Sequence, residues 1–310
     1  TPRSGVVSRP RQAGYRLLGS RLDYLLHTRP AEWPIVAAHT TLGYLLAVGV
    51  PNAFRSERLG SGILGIALWV ICLNGGTLAF NSAFDRDEGD VAYLRQPPPP
   101  PRGLAWFGLG LMLVGMIGAL RLPRGYLLAY GICVLLSVLY SAPPFRLKAV
   151  PGADWLINMW GFGSLTPYAG WAATGLPLGT AGTLILLAFC PLFAALYPLT
   201  QIYQFEEDTR RGDRTLALSL GRRKSLIVAQ AAAVVAFVVF GAAARRSGWS
   251  QDESWRWGVL ALAALAWMLV LLPWLRRESR MSTREHQRGM YQALLAWAVT
   301  DVAVALAWAA

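Results

Sequence analysis

Acidic side chains are rare in this chain and are concentrated in two short stretches. Of the 17 aspartates and glutamates, eight lie at positions 85–90 and 206–213. They are Asp85, Asp87, Glu88, Asp90, Glu206, Glu207, Asp208 and Asp213. Mg²⁺ binds oxygen ligands and usually takes only one or two protein carboxylates, while substrate phosphates and water complete its octahedron. The two stretches therefore indicate a magnesium site that also receives a diphosphate.

Each acidic stretch also carries an amide one helical turn from a carboxylate. Asn81 precedes Asp85 by four residues, and Gln204 precedes Asp208 by the same interval. Residues at i and i+4 share a helix face, so each face offers an amide oxygen beside a carboxylate. A single charge run usually does no more than balance its neighbours in a solvated loop. Two such stretches in an acid-poor chain favour a functional site instead.

Basic residues near the acidic stretches are candidates for holding the diphosphate. Arginine binds phosphate oxygens in a bidentate manner, and lysine acts as a point charge. The candidates are Arg86, Arg95, Arg146, Lys148, Arg210, Arg211 and Arg214. Arg146 and Lys148 form the best pair, because Pro143 and Pro144 end the preceding span and turn the chain back towards the bundle. Basic residues at such helix ends also help to set topology.

The remainder of the sequence predicts the membrane helices that must position these groups. The chain has 310 residues, of which 55% are hydrophobic and 15% charged, too little charge to cover a soluble globule of this size. Apolar runs near the roughly 20 residues that cross a bilayer predict an all-α bundle of nine spans. They lie at 34–53, 61–83, 103–120, 125–141, 154–174, 179–203, 225–243, 257–275 and 290–309. The acidic stretches follow the second and sixth spans, so they can meet across the bundle.

The distribution of positive charge predicts the orientation in the membrane. The N-terminal tail and the even-numbered loops hold 22 of the 29 lysines and arginines, which places the N-terminus and both acidic stretches in the cytoplasm. This asymmetry accounts for the net charge of +12 without a nucleic-acid partner. Residues 1–33 hold six arginines among tyrosines and leucines, and they are read as a basic amphipathic segment that lies on anionic membrane lipid or as a basic tail. Residues 34–310 are expected to form one membrane domain.

Other polar residues in the predicted spans favour packing roles. The three cysteines have a spacing that fits neither a zinc site nor a disulfide framework. His39 has no second histidine or carboxylate at ligand spacing, so a metal role is not expected. Asp154 lies at a helix start, where it is expected to cap backbone amides. Asp301 has no partner in the sequence, which leaves a buried hydrogen bond and an acceptor-site role equally open.

Four motifs together resemble the UbiA superfamily of intramembrane prenyltransferases. They are the Asn-x-x-x-Asp helix end at 81–85, the Tyr-Ser-x-Pro-Pro-x-Arg-x-Lys turn at 140–148, the Gly-Ser-Leu-Thr-Pro-Tyr-Ala-Gly-Trp segment at 163–171, and the Glu-Glu-Asp-x-x-x-Gly-Asp-Arg-Thr-Leu loop that begins at 206. The likeness runs from about Arg29 to the C-terminus. Each motif is weak alone, and the combination is specific.

The resemblance implies a nine-helix bundle around a central cavity that is capped on its cytoplasmic side. It also implies that two aspartate-rich motifs bind Mg²⁺ and an isoprenoid diphosphate. The expected metal ligands are Asn81, Asp85, Asp87, Asp90, Glu206, Glu207, Asp208 and Asp213. Asp85, Asp208, Arg146 and Lys148 would be catalytic, and Asn81, Arg95, Tyr140, Gln204 and Arg214 would contact the substrate.

Two departures from the family pattern concern the metal ligands. Gly89 stands where the last aspartate of the first motif is usual, and Asp90 follows one residue later. Gln204 stands at the position of the leading aspartate of the second motif and can ligate only through its amide oxygen. These departures suggest a different arrangement of the metal or a variant reaction.

The implied activity is ionisation of an isoprenoid diphosphate, followed by transfer of the prenyl group to a lipophilic acceptor, for instance an aromatic one, in a bacterial inner membrane. A second possibility within the superfamily is a terpene cyclase, in which the substrate's own double bonds capture the cation. A transporter or a non-catalytic scaffold is a third. The polar motifs lie at helix ends rather than at the midplane where transporters bind their substrates, which disfavours transport.

Overall fold

The computed structural model describes residues 9–85, 94, 96–206, 209 and 215–310, and for Arg9 only its backbone. Helices dominate this part of the chain, and no β-strand occurs in it. The helices are α1 (Arg9–Leu18), α2 (Arg21–His27), α3 (Trp33–Val48), α4 (Leu59–Asp85), α5 (Leu104–Ala119), α6 (Arg124–Ser141), α7 (Ala153–Asn158, Met159–Leu165 and Thr166–Ala172 in succession), α8 (Thr180–Gln204), α9 (Leu216–Leu220), α10 (Arg222–Ser247), α11 (Trp255–Arg277) and α12 (Thr283–Trp308). Short 3₁₀ turns lie at Val50–Asn52, Leu147–Ala149, Gln251–Glu253 and Glu278–Arg280.

Six helices in the described ranges are long and apolar enough to cross a membrane, namely α4, α6, α8, α10, α11 and α12. Helices α3 and α5 are also apolar, but each has only 16 residues. Helix α7 covers most of the predicted fifth span in three joined pieces. The expected all-α membrane bundle is therefore confirmed, whereas the count of nine spans stays a prediction.

Two helices contain π-helical stretches, Leu68–Asn74 in α4 and Met159–Leu165 in α7. A π-turn joins residues five apart, and it often marks a functional site. The two stretches are linked to each other, because the Trp69 indole donates a hydrogen bond to the Thr166 hydroxyl at 3.2 Å. That hydroxyl in turn donates to the Gly161 carbonyl at 2.9 Å. The irregular parts of α4 and α7 thus face each other inside the bundle.

Apolar side chains form two cores, one in each half of the bundle. The first half packs around Trp69, Tyr126 and Tyr130 on α4 and α6. The second half packs around Phe189 and Trp267 on α8 and α11, with α10 and α12 against them. Because each helix presents apolar residues on several sides, its outer face also carries exposed leucines and valines, as expected where lipid replaces water.

Helices α3 and α7 meet at backbone distance. A side-chain carbon added at Gly43 would overlap the Pro167 carbonyl oxygen, and one added at Gly170 would overlap the Thr40 carbonyl oxygen. Small residues at a membrane helix interface allow this close approach. The contact therefore requires glycine at both positions.

The N-terminal helices α1 and α2 lie against the connector that precedes α5. Tyr24 donates a hydrogen bond to the Arg102 carbonyl at 2.6 Å, and the His27 ring lies 3.1 Å from the Pro98 carbonyl oxygen. Leu17 and Leu25 are exposed on these helices. The segment is thus helical and attached to the bundle, and its contact with anionic lipid stays a prediction.

Candidate active site

A cavity of about 360 Å³ lies between the two halves of the bundle. Helices α3, α4, α6, α7, α8 and α12 contribute to its wall. Along α4 the wall extends from Trp69 to Asn81, which at 1.5 Å per residue is roughly 18 Å. The wall is mostly apolar, with aromatic rings from Phe162, Phe193 and Trp297. Such a shape suits a long lipophilic chain.

A cluster of polar side chains lies at the end of the cavity where α4 ends. We call it the rim cluster, and it consists of Asn81, Asp85, Ser141, Arg146 and Lys148. The Lys148 ammonium group forms an ion pair with the Asp85 carboxylate and donates a hydrogen bond to Asn81 Oδ1 at 3.0 Å. The Ser141 hydroxyl donates to the same Asn81 oxygen at 3.0 Å. An Arg146 nitrogen lies 3.8 Å from Asp85, and the Arg146 side chain is 44% exposed.

The local fold explains why these residues meet. Helix α4 continues to Asp85, and Asn81 donates from Nδ2 to Asp85 Oδ2 at 2.8 Å, which confirms the expected shared helix face. Helix α6 ends at Ser141, and the two prolines reverse the chain so that the following 3₁₀ turn carries Lys148 back to α4. The pairing of the first motif with the Arg-x-Lys turn is thus seen directly.

The oxygen donors of the rim cluster fit magnesium. Asn81 Oδ1 and Asp85 Oδ1 both contact the Lys148 ammonium group, so an amide oxygen and a carboxylate oxygen share one cation. Mg²⁺ takes oxygen ligands of this kind when phosphates and water supply the others. Within the described ranges, no group of three or more His, Cys, Asp or Glu side chains gathers around one point. A substrate diphosphate would therefore have to supply much of the coordination, together with acids outside those ranges.

The other predicted site residues fall into three groups. Tyr140 lies in the cavity wall, where its hydroxyl is 3.1 Å from the Tyr197 hydroxyl. Gln204 is half-buried and donates to the Tyr203 hydroxyl at 3.3 Å, and Glu206 is exposed. Outside the described residues lie Arg86, Asp87, Glu88, Asp90, Arg95, Glu207, Asp208, Arg210, Arg211, Asp213 and Arg214.

Asp154 anchors the chain on both sides of the second acidic stretch. This fully buried carboxylate accepts hydrogen bonds from the Gly152 amide at 2.9 Å and from Gln201 Nε2 at 3.0 Å. The Gln201 oxygen accepts from the Ala217 amide at 3.2 Å. The expected capping role is wrong, because Gly152 is the N-cap of α7 and Asp154, in the first turn, accepts from the amide of Gly152 and from no amide of the helix itself. The same network also joins the end of α8 to the start of α9.

A second polar pair, His39 and Asp301, lies within the cavity region; we call it the deep pair. His39 Nδ1 is 3.0 Å from the Asp301 carboxylate, and Nε2 is 3.2 Å from the Gly163 carbonyl in the π-helical stretch of α7. The ring lies between Phe189 and Trp297, with centroids at 4.7 and 4.9 Å. Both ring nitrogens thus lie within hydrogen-bond distance of an oxygen atom, and these contacts together with the two rings fix the orientation of the imidazole. The only sign of this pair in the sequence is the presence of two polar residues in apolar spans.

An apolar cavity inside a helical membrane bundle, with oxygen donors and cations at one end, defines an intramembrane enzyme for amphiphiles with an anionic head. The model of the UbiA prenyltransferase family matches residues 36–299, so the chain belongs to that family. The expected family and the expected prenyltransferase class are thereby confirmed.

Two curated relatives illustrate the range of the family. The chain is 29% identical over 245 residues to the lycopene elongase/hydratase of Haloferax volcanii, covering 74% of this chain and 76% of the relative. It is 31% identical over 212 residues to the digeranylgeranylglyceryl phosphate synthase of Natronomonas pharaonis, covering 67% and 72%.

Solved structures share the fold. A UbiA homologue from Archaeoglobus fulgidus bound to DMAPP and Mg²⁺ aligns with a TM-score of 0.65 and 20% identity, covering 91% of this chain and 99% of that one. A digeranylgeranylglyceryl phosphate synthase structure aligns with a TM-score of 0.67 and 15% identity, covering 92% and 97%. Magnesium accompanies the diphosphate in the first of these, in agreement with the cofactor expected from the acidic stretches.

Proposed function

We propose that this protein ionises an isoprenoid diphosphate and transfers its prenyl group to a lipophilic acceptor within the membrane. The observation that carries the proposal is the rim cluster, which joins oxygen donors and cations at one end of an apolar cavity. The relatives named above act on isoprenoid substrates by name, which supports the same substrate class.

The residues of the rim cluster have different roles in binding the diphosphate. Lys148 and Arg146 hold its phosphate oxygens, since both carry positive charge beside Asp85. Asn81 and Asp85 would hold Mg²⁺, with Asp208 and its neighbouring acids completing the site from the second motif. When bound, the metal would neutralise the charge that develops on the departing diphosphate.

The cavity wall handles the prenyl chain and the cation. The allylic carbon–oxygen bond breaks, and its electron pair leaves with the diphosphate. The acceptor then donates an electron pair to the allylic carbon and gives up a proton, which passes to the diphosphate. Tyr140, Tyr197 and Phe193 line this region, and their ring faces stabilise positive charge while the apolar wall excludes water.

A terpene cyclase is the second candidate, and the altered ligand positions favour keeping it. Gly89 replaces a usual aspartate, and the Gln204 amide bonds to Tyr203. A cyclase would form hydrocarbon or terpene alcohol from the diphosphate without any acceptor. A transfer enzyme would form a prenylated product only when the acceptor is present.

The test is Mg²⁺-dependent release of diphosphate by the purified full chain. Geranyl, farnesyl and geranylgeranyl diphosphates are supplied with and without lipophilic acceptors, and the extracted products are identified by mass spectrometry. We expect release by the wild type and its loss in Asp85→Ala and Asp208→Ala. No release from any donor by well-folded wild-type protein would point to a non-catalytic scaffold and refute the proposal.

The orientation of the bundle belongs to the same proposal. Positive charge on the tail and on the even-numbered loops supports a cytoplasmic active site in a bacterial inner membrane. To test it, a single cysteine is introduced at an exposed position, Glu206 on one side of the membrane or Phe54 on the other, and intact cells are treated with a thiol reagent that does not cross the membrane. We expect the cysteine at position 54 to be labelled. Labelling of the cysteine at position 206 would show that the topology is the opposite one.

A further inference from the structure

Among the residues that the structure describes, one glycine lies in the wall of the cavity, and neither the backbone nor the packing requires it. Gly161 belongs to the π-helical stretch of α7, and its φ is negative, as in any right-handed helix. A side-chain carbon added there would meet no atom within 4 Å beyond its own stretch of helix. A carbon added at Gly163 would instead lie 2.5 Å from the Phe189 carbonyl oxygen. Packing therefore explains Gly163 and does not explain Gly161.

A side chain at position 161 would point into the cavity. Ile157 lies four residues before Gly161 on α7, and both residues line the cavity. Leu156 and Trp160 belong to the outer side of the helix, where they are 50% and 44% exposed. Residues four apart share a helix face, so the open space beside Gly161 lies on the cavity side and is continuous with the cavity.

A glycine at this position is unfavourable for the helix. Glycine loses more backbone entropy on folding than any other residue, and alanine is a better helix former. The Thr166 hydroxyl donates to the Gly161 carbonyl, a backbone contact that any residue at this position would keep. Since an alanine side chain would fit, the fold gains nothing from the glycine. The volume that Gly161 leaves open is available to a substrate instead.

Gly161 lies between the two ends of the cavity. Helix α7 begins at Ala153, five residues after Lys148 of the rim cluster, so its start lies near the end that holds the diphosphate. Thr166 lies further along α7, at the depth where its hydroxyl accepts a hydrogen bond from Trp69. The eight residues from Ala153 to Gly161 span roughly 12 Å at 1.5 Å per residue, room for a diphosphate and one five-carbon unit. A longer prenyl chain that follows the wall must pass Gly161.

We propose that Gly161 determines the specificity for the donor, because it leaves open the passage through which a prenyl chain of more than one five-carbon unit extends towards Trp69. This inference rests on the proposed function and narrows its substrate to donors of two or more such units. A larger side chain at position 161 would close the passage behind the first unit. A five-carbon donor would still fit between that side chain and the rim cluster.

The test compares Gly161→Leu with a matched control, Gly110→Leu. Gly110 is a helical glycine of α5 at which an added side-chain carbon also meets no atom within 4 Å, but Gly110 does not line the cavity. Gly161→Ala makes a smaller change of the same wall and keeps the test decisive if leucine prevents folding. We expect Gly161→Ala to leave the melting temperature unchanged or raised. A lower melting temperature in Gly161→Ala would show that the fold requires the glycine, and this would overturn the inference.

Binding is measured first, with Mg²⁺ and without acceptor, as the shift in melting temperature that the thiolodiphosphate analogues of the dimethylallyl and farnesyl donors produce. These analogues ionise poorly, and a ligand that binds only the folded state raises the melting temperature. We expect Gly161→Leu to lose most of the shift caused by the farnesyl analogue and to keep the shift caused by the dimethylallyl analogue. Gly110→Leu should respond to both as the wild type does. A wild-type response of Gly161→Leu to the farnesyl analogue, or its loss of both responses, would overturn the inference.

Turnover is measured second, as diphosphate release from dimethylallyl and farnesyl diphosphates with Mg²⁺. The ratio of kcat/KM for the farnesyl donor to that for the dimethylallyl donor should fall at least about tenfold in Gly161→Leu, the scale on which fit in an apolar pocket discriminates substrates. It should fall less in Gly161→Ala and stay at the wild-type value in Gly110→Leu.

Three results would contradict the role of Gly161. They are an unchanged ratio in Gly161→Leu, release by the wild type from the five-carbon donor alone, and a loss in Gly161→Leu that is confined to transfer to an added acceptor. Absence of release from every donor by the wild type would instead refute the proposed function, and the binding measurement would still report on Gly161.

Discussion

Asp85 in the rim cluster and Asp301 in the deep pair are carboxylates of nearly equal exposure, 16% and 15%, and each faces a basic side chain. Their partners differ. Asp85 meets Lys148 and Arg146, long side chains of which Arg146 is 44% exposed. Asp301 meets an imidazole that is fixed by a carbonyl and by two aromatic rings. Burial alone therefore does not separate a binding site from a structural pair. The exposure of the partner does, because the Arg146 side chain is 44% exposed whereas the His39 side chain is 5% exposed.

Asp85→Asn tests the difference between these two sites most directly and has the largest expected effect. The change keeps the shape of the side chain and removes the charge that balances Lys148 and that we propose holds the metal. We expect diphosphate release to fall by about 1,000-fold, in the range seen when one preorganised electrostatic group is removed. Release is measured at saturating Mg²⁺, and the melting temperature is recorded beside it. Activity within tenfold of wild type would show that Asp85 has no role in the active site.

Lys148→Met tests the cation of the rim cluster. Methionine keeps most of the apolar stem but removes the charge that contacts Asp85 and Asn81. We expect kcat/KM for the diphosphate donor to fall about 100-fold. Lys224→Met, an exposed lysine at the start of α10, is the matched control and should keep wild-type kinetics. Equal effects of the two substitutions would show that general positive charge, rather than Lys148, matters.

Asp301→Asn makes the chemical change of Asp85→Asn at the deep pair and should have the opposite outcome. The amide is a weaker partner for the buried imidazole than the carboxylate is, so we expect the free energy of unfolding to fall by about 2 kcal/mol. Diphosphate release, assayed well below the melting temperature, should stay within a few-fold of wild type. Asp252→Asn, at an exposed aspartate, is the control and should leave the melting temperature unchanged. A large loss of release at full stability would make the deep pair part of the reaction.

Glu32→Gln gives the smallest expected effect and concerns the mouth of the cavity. Burial raises the pKa of the Glu32 carboxyl above its usual 4.5, and the nearby Arg29 opposes part of that rise. The folded state therefore holds this proton more tightly than the unfolded state, and stability falls as the pH rises above about 4.5. We expect Glu32→Gln to raise the melting temperature slightly at pH 7–8, with the gain vanishing near pH 4.5. A gain that is independent of pH would contradict this assignment.

The local part of the site could be predicted from the sequence. Spacing of four residues was enough to pair Asn81 with Asp85, and two prolines were enough to turn Lys148 towards them, because both effects act within a few residues of backbone. The pair of His39 and Asp301 was out of reach, since the two residues are 262 positions apart and meet only when α3 and α12 pack together.

The predicted spans agree with the positions of the apolar helices in the structure better than with the lengths of those helices. Helices α3 and α5 are shorter than a bilayer is thick, and α7 is built from three pieces. Hydropathy reports how apolar a run is, and it cannot report where a π-helical stretch interrupts the regular turn. These interruptions depend on tertiary contacts such as the bond from Trp69 to Thr166.

The glycine contact between α3 and α7 has a consequence for how substrates reach the cavity. With no side chain between the two backbones at Gly43 and Gly170, these helices cannot roll or slide past each other without a collision. The two helices stay in contact at these positions, and a lipid-soluble substrate cannot pass between them there. Admission from the bilayer has to use a seam formed by other helices.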